Sequence, residues 1–436
     1  MARYTADPKL YASLTIVEDS GKTSTMDLHE GVILEDITFR NGGKVVTRTG
    51  KLTEIMIDAR ASKINASLCP CELKSAVDDA ITIVGFVLDA SDEYGSDVYF
   101  VKVSDIKSIG SVLESEVVLP ETTEPGALTA MLAQLKPGQE AVLPATTIVD
   151  TLVVPAGVSL KGAQAGVSAA SGYRAQDVVE GETILDGDIK LVSGTTVLDG
   201  ITLSGNAIPK VGDAAGEKDV VLQMKNCRVV GLNDGTGKQM NAFMTENNSN
   251  AVRFEIENCY FGNNGEQMYN LFNMHGKWKS GSYIKNCYFA KDCCQNTITI
   301  YEAEDNASIE ISDNYWESSK NGIRVLARGS VKCEITIKNN TWADTEMPQE
   351  NGDNWGGLFM CQPNGSGTPT STVTQKDIIV YMMGNVNKSA NEQVWYYFAD
   401  DRAAGKHKPQ AVEDRPKIYI DGVLQSYEGH EYIWHD

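Results

Sequence analysis

The sequence predicts an all-β protein in which a small N-terminal β-rich domain precedes a long solenoid of stacked coils. Two observations carry this reading. Short β-prone runs separated by turn residues fill residues 1–112, and beyond them a short pattern centred on Asn or Asp returns at a solenoid period.

The N-terminal runs are Ser13–Val17, Val32–Leu34, Lys44–Thr47, Ile55–Ile57, Ile81–Leu88 and Val98–Val103. Asn41-Gly42-Gly43 is the clearest hairpin signal, because such residues supply the positive φ that a two-residue turn needs. Residues 113–126, with Leu119-Pro120-Glu121-Thr122-Thr123-Glu124-Pro125-Gly126, read as an exposed linker. Ala127–Leu135 then has helical apolar spacing and stops at Lys136-Pro137-Gly138, and short strands follow through Val153–Gly162.

The repeat runs through Val197-Leu198-Asp199-Gly200-Ile201, Met224-Lys225-Asn226-Cys227-Arg228, Ile256-Glu257-Asn258-Cys259-Tyr260, Ile284-Lys285-Asn286-Cys287-Tyr288, Ile311-Ser312-Asp313-Asn314-Tyr315 and Ile337-Lys338-Asn339-Asn340-Thr341. Weaker copies lie at Met383-Gly384-Asn385 and Ile420-Asp421-Gly422. The corner column 199, 226, 258, 286, 313, 339, 384, 421 advances in steps of 27, 32, 28, 27, 26, 45 and 37. Each step is one coil, stacked about 4.8 Å above the last. Asn and Asp suit the corner because they tolerate the left-handed backbone. Cys227, Cys259 and Cys287 form a neighbouring buried column of small apolar filler. The two long steps place insertions near 344–377 and 399–415, where a rigid solenoid carries its functional loops.

A helix followed by Val153-Val154-Pro155-Ala156-Gly157-Val158-Ser159-Leu160-Lys161-Gly162 resembles the entry coil of right-handed parallel β-helices of the pectin-lyase-like class. The resemblance implies a single-stranded right-handed parallel β-helix over residues 127–436, with the helix capping the open end of the stack.

A second column precedes each corner: Ala242–Thr245, Asn270–Asn273, Ile298–Tyr301, Ile323–Leu326, Leu358–Cys361 and Val394–Tyr397. Strict alternation makes Phe243, Leu271, Tyr301, Leu326, Phe359 and Trp395 face outward. An apolar outer face needs a cover, either the chain's own loops or another subunit. The reading adopted is a subunit interface, most simply in a homotrimer.

Charge and composition narrow the function. Asp plus Glu number 59 against 38 Lys plus Arg, a net charge of −21, which argues against nucleic acid and anionic membranes as partners. No apolar run approaches the roughly 18 residues of a membrane-spanning helix, and the N-terminus shows no secretory apolar region, so assembly in a cytoplasm is expected. The nine cysteines read as reduced thiols.

Catalysis on a polysaccharide would need converging carboxylates with a base. Candidates are Glu302, Glu304 and Asp305 beside Arg324 and Arg328 one coil on, which form no recognised catalytic motif. Asp400, Asp401 and Trp355 are candidate ligand contacts, while Trp316 and Trp342 share the column of Phe261 and Phe289 and read as core. His430 and His435 are five apart, not the four that places two ligands on one helix face, and Cys69-Pro70-Cys71 is a lone C-x-C; no metal or cofactor is expected.

The whole layout is similar to bacteriophage tailspikes and head fibre or capsid decoration proteins. That resemblance implies a virion protein whose residues 1–112 attach to a phage capsid or tail protein while the β-helix meets host glycans. A tailspike depolymerase, acting as a polysaccharide lyase or glycoside hydrolase, and a bacterial surface adhesin are the alternatives.

Overall fold

The computed structural model describes residues 12–17, 23–58, 71–72, 82–92, 95–122, 124–187, 189–191, 194–204, 209–211, 220–231, 241–244, 251–263, 268–291, 293–318, 321–327, 332–344, 359–363, 375–389, 396–400 and 411–433. Their secondary structure is almost entirely strand, with one short α-helix among the described residues, and the chain is all-β. It divides into two compact units, Met1–Val117 with Gly138–Glu140, and Val118–Pro137 with Ala141–Asp436.

In the first unit, Gly95–Lys102, Thr82–Asp92, Lys44–Asp58, Ile33–Asn41 and Ile106–Ser108 form an antiparallel sheet in that order, and Ser111–Leu113 also pairs with Ile33–Asn41. The hairpin signal is realised: Asn41 pairs with Lys44 across Gly42 and Gly43, whose φ angles are 56° and 86°. Two expected strands merge into Lys44–Asp58, because Gly50 lets the strand pass tightly against its neighbour. A Cβ there would lie 2.5 Å from the Asp89 carbonyl oxygen. Leu34, Ile37, Phe39, Leu52, Phe86 and Leu88 fill the unit's core. The stretch read as a linker is more structured than expected: Leu113 pairs with Ile33, Glu116–Val118 is a strand, and Leu119 is buried.

The second unit is a layered stack in which each turn of chain adds strands in parallel register to those before it. Ser159–Lys161, Gly194–Asp199, Val220–Lys225, Ala251–Glu257, Ser282–Lys285, Ala307–Ser312, Cys333–Lys338, Ile378–Met383 and Lys417–Ile420 pair successively and make a pre-corner row. Past the corner, Thr147–Ile148, Thr183–Leu185, Ile201–Ser204, Arg228–Val230, Tyr260–Gly262, Tyr288–Phe289, Tyr315–Trp316, Thr341–Trp342 and Val386–Asn387 make a nine-stranded post-corner sheet. A return row completes each layer and includes Asn241–Met244, Met268–Trp278, Cys294–Ala303, Asn321–Ala327, Phe359–Pro363 and Tyr396–Asp400.

The corners are left-handed, as the Asn/Asp column requires. Asn226, Asn258, Asn286, Asp313 and Asn339 have φ between 51° and 57°, and glycine takes the same role at Gly200 and Gly384, whereas Asp421 and Gly422, at φ 46° and 83°, are the turn of an antiparallel hairpin that pairs Ile420 with Val423 and do not continue the corner column. Beside them runs a buried polar column. The thiols of Cys227, Cys259 and Cys287 lie within 3.1–3.2 Å of the carbonyl two residues back. In the next layer amides take over. Asn314 Nδ2 donates to Ile284 O at 2.9 Å and to Asn340 Oδ1 at 3.0 Å, and Asn340 Nδ2 donates to Ile311 O at 2.9 Å and to Asn385 Oδ1 at 3.0 Å. Inside the post-corner sheet, Phe261, Phe289, Trp316 and Trp342 stack with centroids 4.6–4.8 Å apart and interplanar angles of 6–11°, so both tryptophans are core.

The helix expected over 127–135 is shorter, Ala127–Leu132, with Leu128 and Leu132 buried. Thr129 explains its position: its hydroxyl accepts from Val153 N–H at 3.2 Å and donates to Thr151 O at 2.7 Å. One side chain thereby occupies polar groups on the open side of strand Leu152–Val154.

Replacing Asn340 with Ala leaves the Asn314 N–H and the Ile311 carbonyl without their side-chain partner in a buried column. At about 1–3 kcal/mol for each stranded group, the variant should lose several kcal/mol in urea unfolding, whereas Asn258→Gly at a left-handed corner should be close to neutral. Equal losses at both positions would refute this division of labour.

Candidate functional site

The outer face of the post-corner sheet is the most elaborated described surface. Its register column reads Ile184, Thr202, Arg228, Tyr260, Tyr288, Tyr315, Thr341 and Val386. The first part is roofed by a strap, residues 163–182, and the later part is half-buried until Val386, which is 46% exposed.

Arg174 holds the strap. It is fully buried, donating from Nε and Nη2 to the two Glu182 oxygens at 2.7 and 2.8 Å, and from Nη1 to Asn226 O at 2.8 Å and to Val167 O. Thr202 Oγ1 adds a third donor to Glu182 at 3.0 Å. From the sheet, Arg228 Nη2 donates to Gln176 O at 2.5 Å and Asp177 O at 2.7 Å, and Tyr260 Oη donates to Asp177 Oδ1 at 2.9 Å. Burial lowers the Arg228 guanidinium, and burial beside Asp177 pushes the Tyr260 phenol far above its usual range, so Tyr260 stays a neutral donor. Gly262 makes room: a Cβ there would fall 1.9 Å from Asp177 Oδ1.

Beyond the strap the tyrosines stack on one another, Tyr260 on Tyr288 at 5.7 Å and Tyr288 on Tyr315 at 5.1 Å. Their faces are used internally, so the ladder presents ring edges and hydroxyls. Tyr288 Oη donates to Glu317 Oε1 at 2.5 Å, and Glu317 Oε2 accepts Lys291 N–H at 2.7 Å. The arrangement can hydrogen-bond a polyhydroxylated chain laid along the stack; it places no nucleophile beside a base.

The outer face of the pre-corner row is a second polar surface. Glu257 accepts from Lys285 at 3.0 Å and lies 3.5 Å from Lys225, and Lys338 reaches Glu310 at 2.9 Å. Burial acts to raise both carboxyls. Lys285 and Lys225 outweigh it at Glu257, as do Lys338 and Ser312 at Glu310, and both carboxyls lie below the usual range.

Of the carboxylates and arginines read as a catalytic set, Arg324 does not lie at the level of Glu302. Thr299 pairs with Arg324, which places Arg324 three strand positions, or about 10 Å, from the level of Glu302. Arg324 is buried, and Glu304 accepts from Ser280 N–H at 3.4 Å. Arg328, Trp355, Asp401 and Trp395 lie outside the described residues; Asp400 ends strand Tyr396–Asp400 opposite Ile433. His430 stacks on Tyr396 at 4.3 Å. Among the described residues no cluster of three or more His, Cys, Asp or Glu could hold a metal ion, and no helix is long and apolar enough to cross a membrane.

Of the residues expected to form an apolar outer face on the return row, Leu271 is corrected. Phe243 registers with Phe272, Ile298, Ile323, Phe359 and Tyr396, a column whose described side chains Ile298, Ile323 and Tyr396 are buried. Leu271 belongs one residue out of that register and is fully buried within a single chain. A one-residue slip exchanges the two faces of a strand, so the sequence alignment had mixed them. Tyr301 and Leu326 lie in strands Cys294–Ala303 and Asn321–Ala327. The sequence pattern gave no sign of the strap, since Arg174, Asp177 and Glu182 read as ordinary loop charges.

No protein-family model matches the chain, and no curated protein matches it by sequence.

Two outcomes follow from these contacts. Arg174→Ala strands the buried Glu182 carboxylate and should cost about 3–5 kcal/mol in denaturant unfolding, while the double change Arg174→Met with Glu182→Leu should recover most of it. For Glu257 and Glu310, carboxyls depressed in the folded state stabilise it above the unfolded carboxylate value of about 4.3, and that contribution disappears as pH falls through the lower folded value. Glu257→Gln should therefore flatten the decline in melting temperature between about pH 5 and pH 3. An identical decline in the variant would exclude the ion-pair ladder as a source of acid sensitivity.

Proposed function

We propose that the chain is a bacteriophage virion structural protein, a head fibre or capsid decoration protein, in which residues 1–112 attach to a capsid or tail protein and a right-handed parallel β-helix projects toward the host surface. The observation that carries this reading is the division into a small antiparallel unit with its own core and a long parallel stack built from repeated layers. Nine post-corner strands at about 4.8 Å make a rigid column nearly 40 Å long, a geometry suited to projection. Such a protein needs extent, stiffness and an outward polar face, and the Tyr288–Tyr315–Thr341 column supplies hydroxyls at each layer for contact with surface glycans. The separation of Arg324 from Glu302 counts against a depolymerase at that site.

Cryo-electron microscopy of particles purified from the source lysate, with this chain's mass confirmed in them, tests the reading. Density on the particle joined through residues 1–112 is the expected result, and loss of residues 1–112 should abolish incorporation. A chain absent from particles, or a truncated chain that still incorporates, would overturn it.

A further inference from the structure

The chain has nine cysteines, and the six whose surroundings are described fall into two groups. Cys227, Cys259, Cys287 and Cys333 are 0–2% exposed inside the stack. Burial holds Cys227 and Cys259 well above the usual thiol range and pushes Cys333 up to about 12. All four are packing thiols, and Cys227, Cys259 and Cys333 have little thiolate to react.

Cys293 and Cys294 differ in placement. They are consecutive, 4% and 6% exposed, and their Sγ atoms are 3.6 Å apart. They sit where the chain turns from strand Tyr288–Phe289 into strand Cys294–Ala303; Cys293 N–H donates to Ala290 O at 3.3 Å, and Cys294 Sγ lies 3.8 Å from Thr297 Oγ1. The turn is closed by backbone, so nothing in its geometry calls for sulfur at either position. The two sulfurs nevertheless face each other.

We propose that Cys293 and Cys294 form a redox-active vicinal dithiol, a modification site at which a small-molecule disulfide oxidises the pair to a disulfide between adjacent residues. One cysteine thiolate attacks oxidised glutathione, forming a mixed disulfide and releasing one glutathione thiolate. The second cysteine attacks that mixed disulfide, the Cys293–Cys294 S–S bond forms, and a second glutathione leaves. The two cysteine protons end on the two glutathione thiols, and the protein gives up two electrons to the reagent. Consecutive Cα atoms are about 3.80 Å apart, shorter than the usual span of roughly 4.4–6.8 Å in disulfides, so the closed ring is strained and easily reduced. This is the behaviour of a reversible mark, not of a structural bridge, and it does not rest on the virion reading.

The full chain, purified reduced and folded, would be treated with oxidised glutathione, alkylated and mapped by peptide mass spectrometry. The expected result is a peptide containing Cys293 and Cys294 that has lost two hydrogens, carries no glutathione and is restored by dithiothreitol, while Cys227, Cys259 and Cys287 remain alkylatable after unfolding. In Cys293→Ser and in Cys294→Ser the remaining thiol should stop at the glutathione adduct. Phenylarsine oxide should protect the wild-type pair from alkylation and be displaced by a dithiol but not by a monothiol. A persistent glutathione adduct on the wild-type pair, no reaction before unfolding, oxidation beginning in the buried column, or failure of the arsenical to protect would each overturn the proposal.

Discussion

The second unit depends on one constraint: a residue in a parallel stack sits about 4.8 Å from its counterpart in the next layer, so each level of the fold must be filled by side chains that tolerate their own kind as neighbours. The left-handed corner makes that constraint periodic. Asn226, Asn258, Asn286, Asp313 and Asn339 hold the same backbone conformation at φ 51–57°, and only because the chain turns identically in each layer do the strands on either side remain in register. Insertions lengthen the path between corners without shifting them, which is why a step of 45 residues still brings Gly384 to the same column as Asn339.

Like-on-like stacking selects different chemistry at each level. Aromatic rings satisfy it through their faces, and the Phe261 to Trp342 series does so strictly enough that the indole N–H groups of Trp316 and Trp342 are buried without a hydrogen-bond partner among the described residues. Stranding such groups costs about 1–3 kcal/mol each, so the unbroken stack outweighs that loss. The adjoining column shows the alternative. Thiols at Cys227, Cys259 and Cys287 fill space and make only weak contacts with nearby carbonyls, whereas the amides of Asn314 and Asn340 both donate upward and accept from below, and Asn385 accepts from Asn340. The same level of the fold thus passes from apolar filler to a continuous hydrogen-bonded ladder without a change in backbone. Charged residues are tolerated only where signs alternate, as in the Lys225, Glu257, Lys285 series on the outer pre-corner face.

These rules determine what a sequence reader can see. Corners are legible because the backbone conformation restricts them to Asn, Asp and Gly, and the core tryptophans are legible because they fall at a fixed offset from those corners. The return row is less so, since in strand Cys294–Ala303 the successive residues Thr297, Ile298, Thr299 and Ile300, which belong to both faces, are all shielded from solvent. A strand covered on both sides loses the alternation that fixes its register, and a slip of one residue is enough to align Leu271 with Phe243, whose register partner is Phe272. In the first unit, the separate runs Lys44–Thr47 and Ile55–Ile57 belong to one strand, Lys44–Asp58, and Gly50 between them marks close approach of two strands.

The strap was illegible for a different reason. Its partners are distant in sequence: Arg174 meets Asn226, Ala169 meets Asn258, and Tyr260 meets Asp177. None of these pairs repeats, so periodicity carries no trace of them. Yet the strap crosses layers in the direction that the parallel ladder also spans, and its buried arginine joins a backbone carbonyl of a corner residue to a carboxylate supplied before the next post-corner strand. A stack of similar layers could slide or terminate at any level. One aperiodic segment that fits only at Gly200, Arg228 and Gly262 removes that degeneracy at the start of the stack, because a layer displaced by one step would present Asn226 or Val230 where the strap requires glycine.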